Sequence, residues 1–513
     1  MVSAAPSSSG ESGDLGGAPM PWDKTLRVIF VALFSAVGSF LFGLDIGYIG
    51  PIIECASFKR SVAHTQDIGS GEEGLIVSLF SFGAIFTAFP LISSYFVDEW
   101  GRRASIQLGS AVFVLGSAIQ ASATNLNFML VGRFVSGMSI GLLSTVIVLY
   151  QSEVAPARMR GALSTLYQLM ITLGIAVASL VDEFLVDKDE GWRTVIWIMC
   201  APALVLCVGL SFMPRSPRWL IQKGRNAEAL EVLRTIRPEK EAVLEAQEIQ
   251  EELESSKAEG EPRWSDLFHG RIGRLVLLGV ILQLLQQLVG MNAFMYFGPK
   301  IFKSIGLSAN LFTTINNSVN FIATFPAIFL ADVAGRRILM LWSSYAMLLS
   351  CTVMGITGLL FFQGDVKGGF TISSPNARWV FVGSVFFFVA NFAYGFGPIV
   401  WVYCAEIFPM KYRARAVGLC TMANWVGNLL IAQFTPMLFH SIRFSTFFVF
   451  GLFCLIAVLV SNWLPETKGV PLELVGQLFD HKKGFRSTAS KALLNETDSD
   501  DEEGINGNES DGI

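Results

Sequence analysis

Apolar residues recur along this chain in twelve long runs. Six lie near 26–51, 74–97, 104–123, 127–150, 162–186 and 192–213, and six near 273–297, 311–331, 338–362, 378–404, 413–438 and 443–464. A helix needs about 20 apolar residues to cross the hydrocarbon core of a bilayer, so each run predicts one membrane span. Between the sets, 215–270 is charged and Glu-rich, with no apolar stretch long enough to span. The pattern predicts an all-α transmembrane fold with five regions. They are a disordered N-terminus (1–25), a six-helix bundle (26–214), a helical linker (215–270), a second six-helix bundle (271–464) and an acidic tail (465–513).

The two sets repeat each other. The turn Asp98-Glu99-Trp100-Gly101-Arg102-Arg103 returns as Asp332-Val333-Ala334-Gly335-Arg336-Arg337, 234 residues later, and both join the second and third spans of their set. Glu153, followed by Arg158 and Arg160, likewise matches Glu406, followed by Arg413 and Arg415. Two parallel six-helix repeats around a central site are a carrier architecture. The basic residues crowd the 2–3, 4–5, 8–9 and 10–11 connections, whereas the 5–6 connection is acidic (Asp182, Glu183, Asp187, Asp189, Glu190). The bias of basic residues toward the inner side places both termini and the linker in the cytoplasm.

Composition agrees with lipid as the solvent: 52% of the 513 residues are hydrophobic, 15% are charged, and the mean hydropathy is +0.52. The net charge of −5 belongs to the tail. Residues 491–513 hold eight acids and one base, which leaves 34 acids against 36 bases elsewhere, so nucleic acid is not an expected partner. Six of the seven cysteines fall inside apolar runs, where a thiol behaves as a small hydrophobe. With no nucleophile–base pair or metal-ligand cluster, neither an enzyme nor a cofactor is expected.

Polar groups inside the spans are costly and therefore candidates for function. Gln168 and Thr172 share a face of span 5, and Gln283, Gln286, Gln287 and Asn292 form a polar stripe in span 7. Asn316, Asn317 and Asn320 lie in span 8, Trp401 in span 10, and Asn424, Trp425 and Asn428 in span 11. Amides donate and accept together, which suits the paired hydroxyls of a sugar, while indole faces suit its C–H surface. Individual amides also serve plain interhelical bonding. Gly395, Gly397 and Pro398 predict a break in span 10 that acts as a gate.

Two charges stand at membrane depth, Asp45 in span 1 and Arg133 in span 4. They are read as a proton-coupling pair, or else as a static ion pair, with the proton as the one candidate coupling ion. At the cytoplasmic turns, Asp98 with Arg102 and Arg103, and Asp332 with Arg336 and Arg337, are placed to pair with Glu153 and Glu406. Together with Arg160 and Arg415 these predict a latch that closes the inner face and breaks in the opposite state.

Several segments together resemble the sugar porter family of the major facilitator superfamily over about 26–473. Phe42 to Gly47 resembles its first-span signature, and Gly132-Arg133 through Gly137 and Gly141 its fourth-span motif. Ser216-Pro217-Arg218-Trp219-Leu220 resembles PESPRWL, Gln286 to Ala293 resembles QQxxGxNA, and Pro465 to Gly469 matches PETKG. The resemblance implies the twelve-helix major facilitator fold and alternating-access transport of a hexose such as glucose, by a monomer in the plasma membrane. Proton symport is favoured over facilitated diffusion, with a polyol carrier or a sugar sensor as alternatives. It implies sugar contacts at Gln168, Gln286, Gln287, Asn292, Asn320, Trp401 and Asn424. Trp425 and Asn428 would line the neighbouring cavity, with Tyr296 and Phe297 near the outer gate. One departure reverses a charge: the family's Glu before Ser-Pro-Arg is Arg215 here, which predicts a weakened latch on that half.

Overall fold

The computed structural model describes residues 21–65, 68–156, 160–258, 263–364, 370–372 and 374–468; the side chains of Arg160, Asp332 and Lys411 lie outside the described residues. Among these, twelve helical rods cross the molecule. In the first set they run Trp22–Glu54, Ser70–Trp100, Arg102–Ala121, Leu126–Val154, Arg160–Leu185 and Gly191–Phe212. In the second they run Gly270–Ser304, Ala309–Ala334, Arg336–Phe361, Pro375–Glu406, Met410–Ile442 and Thr446–Trp463. They are numbered spans 1 to 12 below. Large apolar side chains such as Phe30, Phe86, Leu115, Phe329 and Leu459 stand exposed on the outside, the arrangement expected of a protein whose surroundings are lipid.

Three spans are interrupted, each for a local reason. Span 2 bends at Phe89, because Pro90 cannot donate to the helix ladder and begins a new turn. Span 7 breaks between Leu288 and Met291 at Gly290, whose φ of 96° is a left-handed conformation that side chains disfavour. Span 10 passes through a π turn over Phe392–Phe396 before restarting at Gly397 with Pro398 in its first turn. Between spans 9 and 10 the chain makes a short hairpin, Phe362–Gly364 paired antiparallel with Phe370–Ile372. The expectation of an all-α chain did not include it.

Within the first bundle span 3 packs on spans 4 and 6, span 1 on span 5, and span 2 on span 4; in the second, span 9 packs on spans 10 and 12, and span 7 on span 11. The bundles meet along a seam made by spans 2 and 11, spans 5 and 8, and span 1 with the second half of span 7. Helices come close where glycine removes the side chain: a Cβ on Gly43 would lie 2.0 Å from the Ile171 carbonyl of span 5.

The linker folds as helices Pro217–Gln222, Asn226–Ile236 and Glu239–Ala258, then a 3₁₀ turn over Trp264–Phe268. It is tied to the first bundle. Arg237 donates to Glu245 at 2.7 and 3.2 Å and to the Val154 carbonyl at 3.1 Å, while Lys24 donates to the Arg237 carbonyl at 2.5 Å. The end of the molecule bearing the linker is called the linker face below, and the other end the far face.

Candidate functional site

The amides of spans 7 and 11 form one hydrogen-bonded string. Asn292 donates to Gln287 at 2.7 Å, Gln287 donates to Asn424 at 2.9 Å, and Asn424 donates to Gln283 and Gln286 at 2.7 and 2.5 Å. Gln286 closes the string by donating to the Gly397 carbonyl at 2.6 Å, just past the π turn of span 10. The local reason is periodicity. Gln283, Gln286 and Gln287 repeat at three and four residues, so one face of span 7 meets the facing turn of span 11. Gln283 Nε2 is buried with no partner, so the string keeps unused hydrogen-bonding capacity. Gln168 and Trp401 are half-buried and stand outside it. Asn320 approaches the Met295 sulfur, at 3.9 Å.

A second group sits nearer the far face and crosses the seam. Tyr296 and Ser81 both donate to Asn428 Oδ1, at 3.0 and 2.8 Å, which joins spans 7, 2 and 11. The Trp425 ring lies 4.9 Å from Phe42 and 6.0 Å from Phe80. Asn317 donates to Ser179 Oγ at 2.5 Å, linking spans 8 and 5. The Phe297 ring lies 6.3 Å from that of Tyr296. It lines a small apolar cleft within the second bundle, with Pro436, Phe439 and Phe447. The two glycines of span 10 separate: Gly395 presses on Ser343 of span 9, where a Cβ would come within 2.4 Å, whereas the Gly397 carbonyl serves the amide string.

The far face is closed by bonds that sequence reading did not single out. Lys300 reaches both oxygens of Glu73, at 2.7 and 2.6 Å, and Lys303 reaches Glu54 at 3.1 Å. Ser78 donates to Gln433 at 2.8 Å, and Asn310 to Asp187 at 3.0 Å. Each contact joins one bundle to the other. The available signal was the set of charges just beyond the predicted ends of spans 1, 2 and 7. Asp182, read as part of the acidic 5–6 connection, instead lies inside span 5 and is fully buried, with neither carboxylate oxygen hydrogen-bonded.

Asp45 and Arg133 meet at 2.6 Å in a site with no exposure on either side chain. Tyr48 donates to the second Asp45 oxygen at 2.8 Å, and Gln120 lies 3.0 Å from the same hydroxyl. Arg133 also donates to the Ile76 carbonyl at 3.0 Å and stacks over Phe80 at 4.7 Å. Tyr48 sits one helical turn after Asp45, and Gln120 is one of two glutamines in span 3; both stand as polar groups in apolar runs.

The linker-face turns form matching sets of bonds in the two repeats. Arg102 donates twice to Glu153 Oε1, at 3.1 and 2.8 Å, and Arg336 donates twice to Glu406 Oε1, at 3.2 and 2.9 Å. The other oxygen of each glutamate accepts from a hydroxyl, Ser216 at 2.5 Å in the first repeat and Thr467 at 2.7 Å in the second. Arg103 and Arg337 reach carbonyls instead, Met213 at 3.1 Å and Asn462 at 2.8 Å. Asp98 lies 3.6 Å from Arg102. Arg415 stacks over Trp264 at 5.2 Å. The arginine–glutamate pairs join helices of one bundle and not of two, so the expected latch takes the form of a brace on each half. Arg215 turns to Glu228 at 3.4 Å and leaves Glu153 to Arg102 and Ser216.

Comparison with known proteins gives these contacts a context. Residues 31–479 match the family model described as Sugar (and other) transporter. The galactose-proton symporter of Escherichia coli (strain K12) is 35% identical over 454 residues, 86% of this chain and 92% of that protein. The glucose transporter GlcP of Staphylococcus epidermidis is 31% identical over 464 residues, 89% and 98% of the two chains. In structure, the proton:xylose symporter XylE bound to 6-bromo-6-deoxy-D-glucose superposes with a TM-score of 0.75 at 26% identity, covering 89% of this chain and 99% of that one. With a twelve-span fold in two repeats and a family match along nearly its whole length, this chain is a multi-pass membrane protein of the sugar (and other) transporter family.

Proposed function

We propose that this protein carries a monosaccharide across the plasma membrane by alternating access, in symport with a proton, working as a monomer with both termini and the linker in the cytoplasm. The observation that carries the reading is the amide string of Gln283, Gln286, Gln287, Asn292 and Asn424 beside the break in span 10. Uncharged groups that donate and accept can exchange their mutual bonds for those of sugar hydroxyls at little net cost. Gln168 and Trp401, half-buried and outside the string, would complete the site from spans 5 and 10.

In this assignment the far face is the outer gate, held shut by Glu73–Lys300 and Glu54–Lys303. Coupling rests on Asp45. A proton on Asp45 cancels its attraction to Arg133, and the freed guanidinium must then find other acceptors, which favours a different packing of spans 1 and 4. The names of several relatives, the galactose- and arabinose-proton symporters of Escherichia coli among them, agree with this coupling. The test is uptake of radiolabelled galactose and glucose by proteoliposomes, with and without an inward proton gradient. Accumulation above equilibrium only with the gradient is expected; uptake that stops at equilibrium under both conditions would replace symport by facilitated diffusion.

A further inference from the structure

The two repeats differ at one pair of equivalent positions. Thr467 follows Ser216 by 251 residues, and both hydroxyls serve the equivalent glutamates, so the residues just before them, Glu466 and Arg215, are counterparts. Glu466 caps span 9: its carboxylate accepts from the backbone amides of Arg336 at 2.8 Å and Arg337 at 3.0 Å and lies against Gly335, whose φ is 91°. Span 3 begins with the same turn. Gly101 has a φ of 84°, yet no side chain caps the amides that follow, and Trp219 covers the glycine. The carboxylate of one repeat is replaced by a guanidinium in the other.

A cleft of about 150 Å³ opens at this point, lined by Arg102, Arg103, Arg215, Arg225, Ser216 and Trp219. The charges around it do not balance locally. Glu153 and Asp98 serve Arg102, Glu228 is shared by Arg215 and Arg225, Glu99 pairs with Lys223 at 2.9 Å, and Arg103 reaches a carbonyl. We propose that this cleft binds a phosphate group from outside the chain, which supplies span 3 with the anion that Glu466 supplies to span 9. A phosphate suits the site better than a second carboxylate, because several arginines and a helix N-terminus converge on it and a phosphate offers oxygens to each. The exposed ring of Trp100, which lines the cleft, marks the level of a bilayer surface, so the phosphate comes either from an anionic lipid headgroup or from a soluble phosphate ester.

The experiment uses the full-length transporter and follows its thermal unfolding in two arms. Inorganic phosphate is titrated into protein in uncharged detergent, and protein in phosphatidylcholine nanodiscs is compared with protein in nanodiscs containing phosphatidic acid. A saturable rise in Tm is expected in at least one arm: phosphate alone indicates a soluble source, and phosphatidic acid alone a lipid. Arg215→Glu restores the internal carboxylate and is expected to abolish the rise while keeping a phosphate-free Tm at least equal to that of the parent. Arg215→Gln, which only removes the charge, is expected to raise the midpoint concentration about tenfold. No rise in either arm, or an equal rise in both variants and the parent, overturns the proposal.

Discussion

Lys300 Nζ lies within 2.7 Å of both carboxylate oxygens of Glu73 and so joins span 7 of one repeat to span 2 of the other at the far face. Glu73 is buried, at 3% exposure, but Lys300 is 42% exposed in its side chain, so water screens part of the attraction. Lys300→Gln is expected to favour the far-open state by about 1 kcal/mol, or roughly fivefold. Labelling rates of a cysteine placed at Ser78 would report it; rates unchanged from the Lys300 parent would remove this pair from the gate.

Among the described residues, Asp45 pairs with Arg133 and Tyr48 alone, in a site without exposure. Asp45→Asn is expected to abolish gradient-driven accumulation in proteoliposomes while leaving sugar exchange at equilibrium. Concentrative uptake by this variant would deny Asp45 the proton.

Gln286 and Asn424 share a 2.5 Å hydrogen bond. Gln286→Ala is expected to raise the half-saturation concentration about tenfold, and Asn424→Ala similarly. Because each deletion frees the other amide, the double variant should fall clearly short of the product of the single effects. Strictly multiplicative effects in uptake assays would mean that the two amides act at separate places.

Arg102 and Glu153 are 8% and 6% exposed in their side chains. Glu153→Ala leaves a buried guanidinium without its main partner and is expected to cost about 3 kcal/mol of stability. Thr467→Val removes one hydrogen bond to Glu406 and should cost about 1 kcal/mol. Unfolding midpoints in detergent rank the two, and equal losses would argue against the brace.

Asp182 offers the opposite case, a fully buried carboxylate with neither oxygen bonded. Asp182→Asn keeps the shape and removes the charge, and is expected to stabilise on the order of 1 kcal/mol, read as a higher Tm. A lower Tm would show that the carboxylate has a compensating partner in the lipid-embedded protein.

The sequence by itself determined the number of spans, their grouping into two sets, the turns at Gly101 and Gly335, and the presence of Asp45 and Arg133 at membrane depth. These follow from properties that act locally: hydrocarbon demands about 20 apolar residues per crossing, and a buried polar group is visible by contrast with its neighbours. Tertiary structure alone decided which polar groups meet. Gln287 finds Asn424 and not Gln168, Lys300 finds Glu73, Phe297 lines a cleft within its own bundle, and Arg102 braces one half without bridging two. Those outcomes depend on how each rigid helix is rotated about its axis and how deep it sits against its neighbours. These quantities are fixed by packing among residues fifty or more positions apart, which no local pattern encodes.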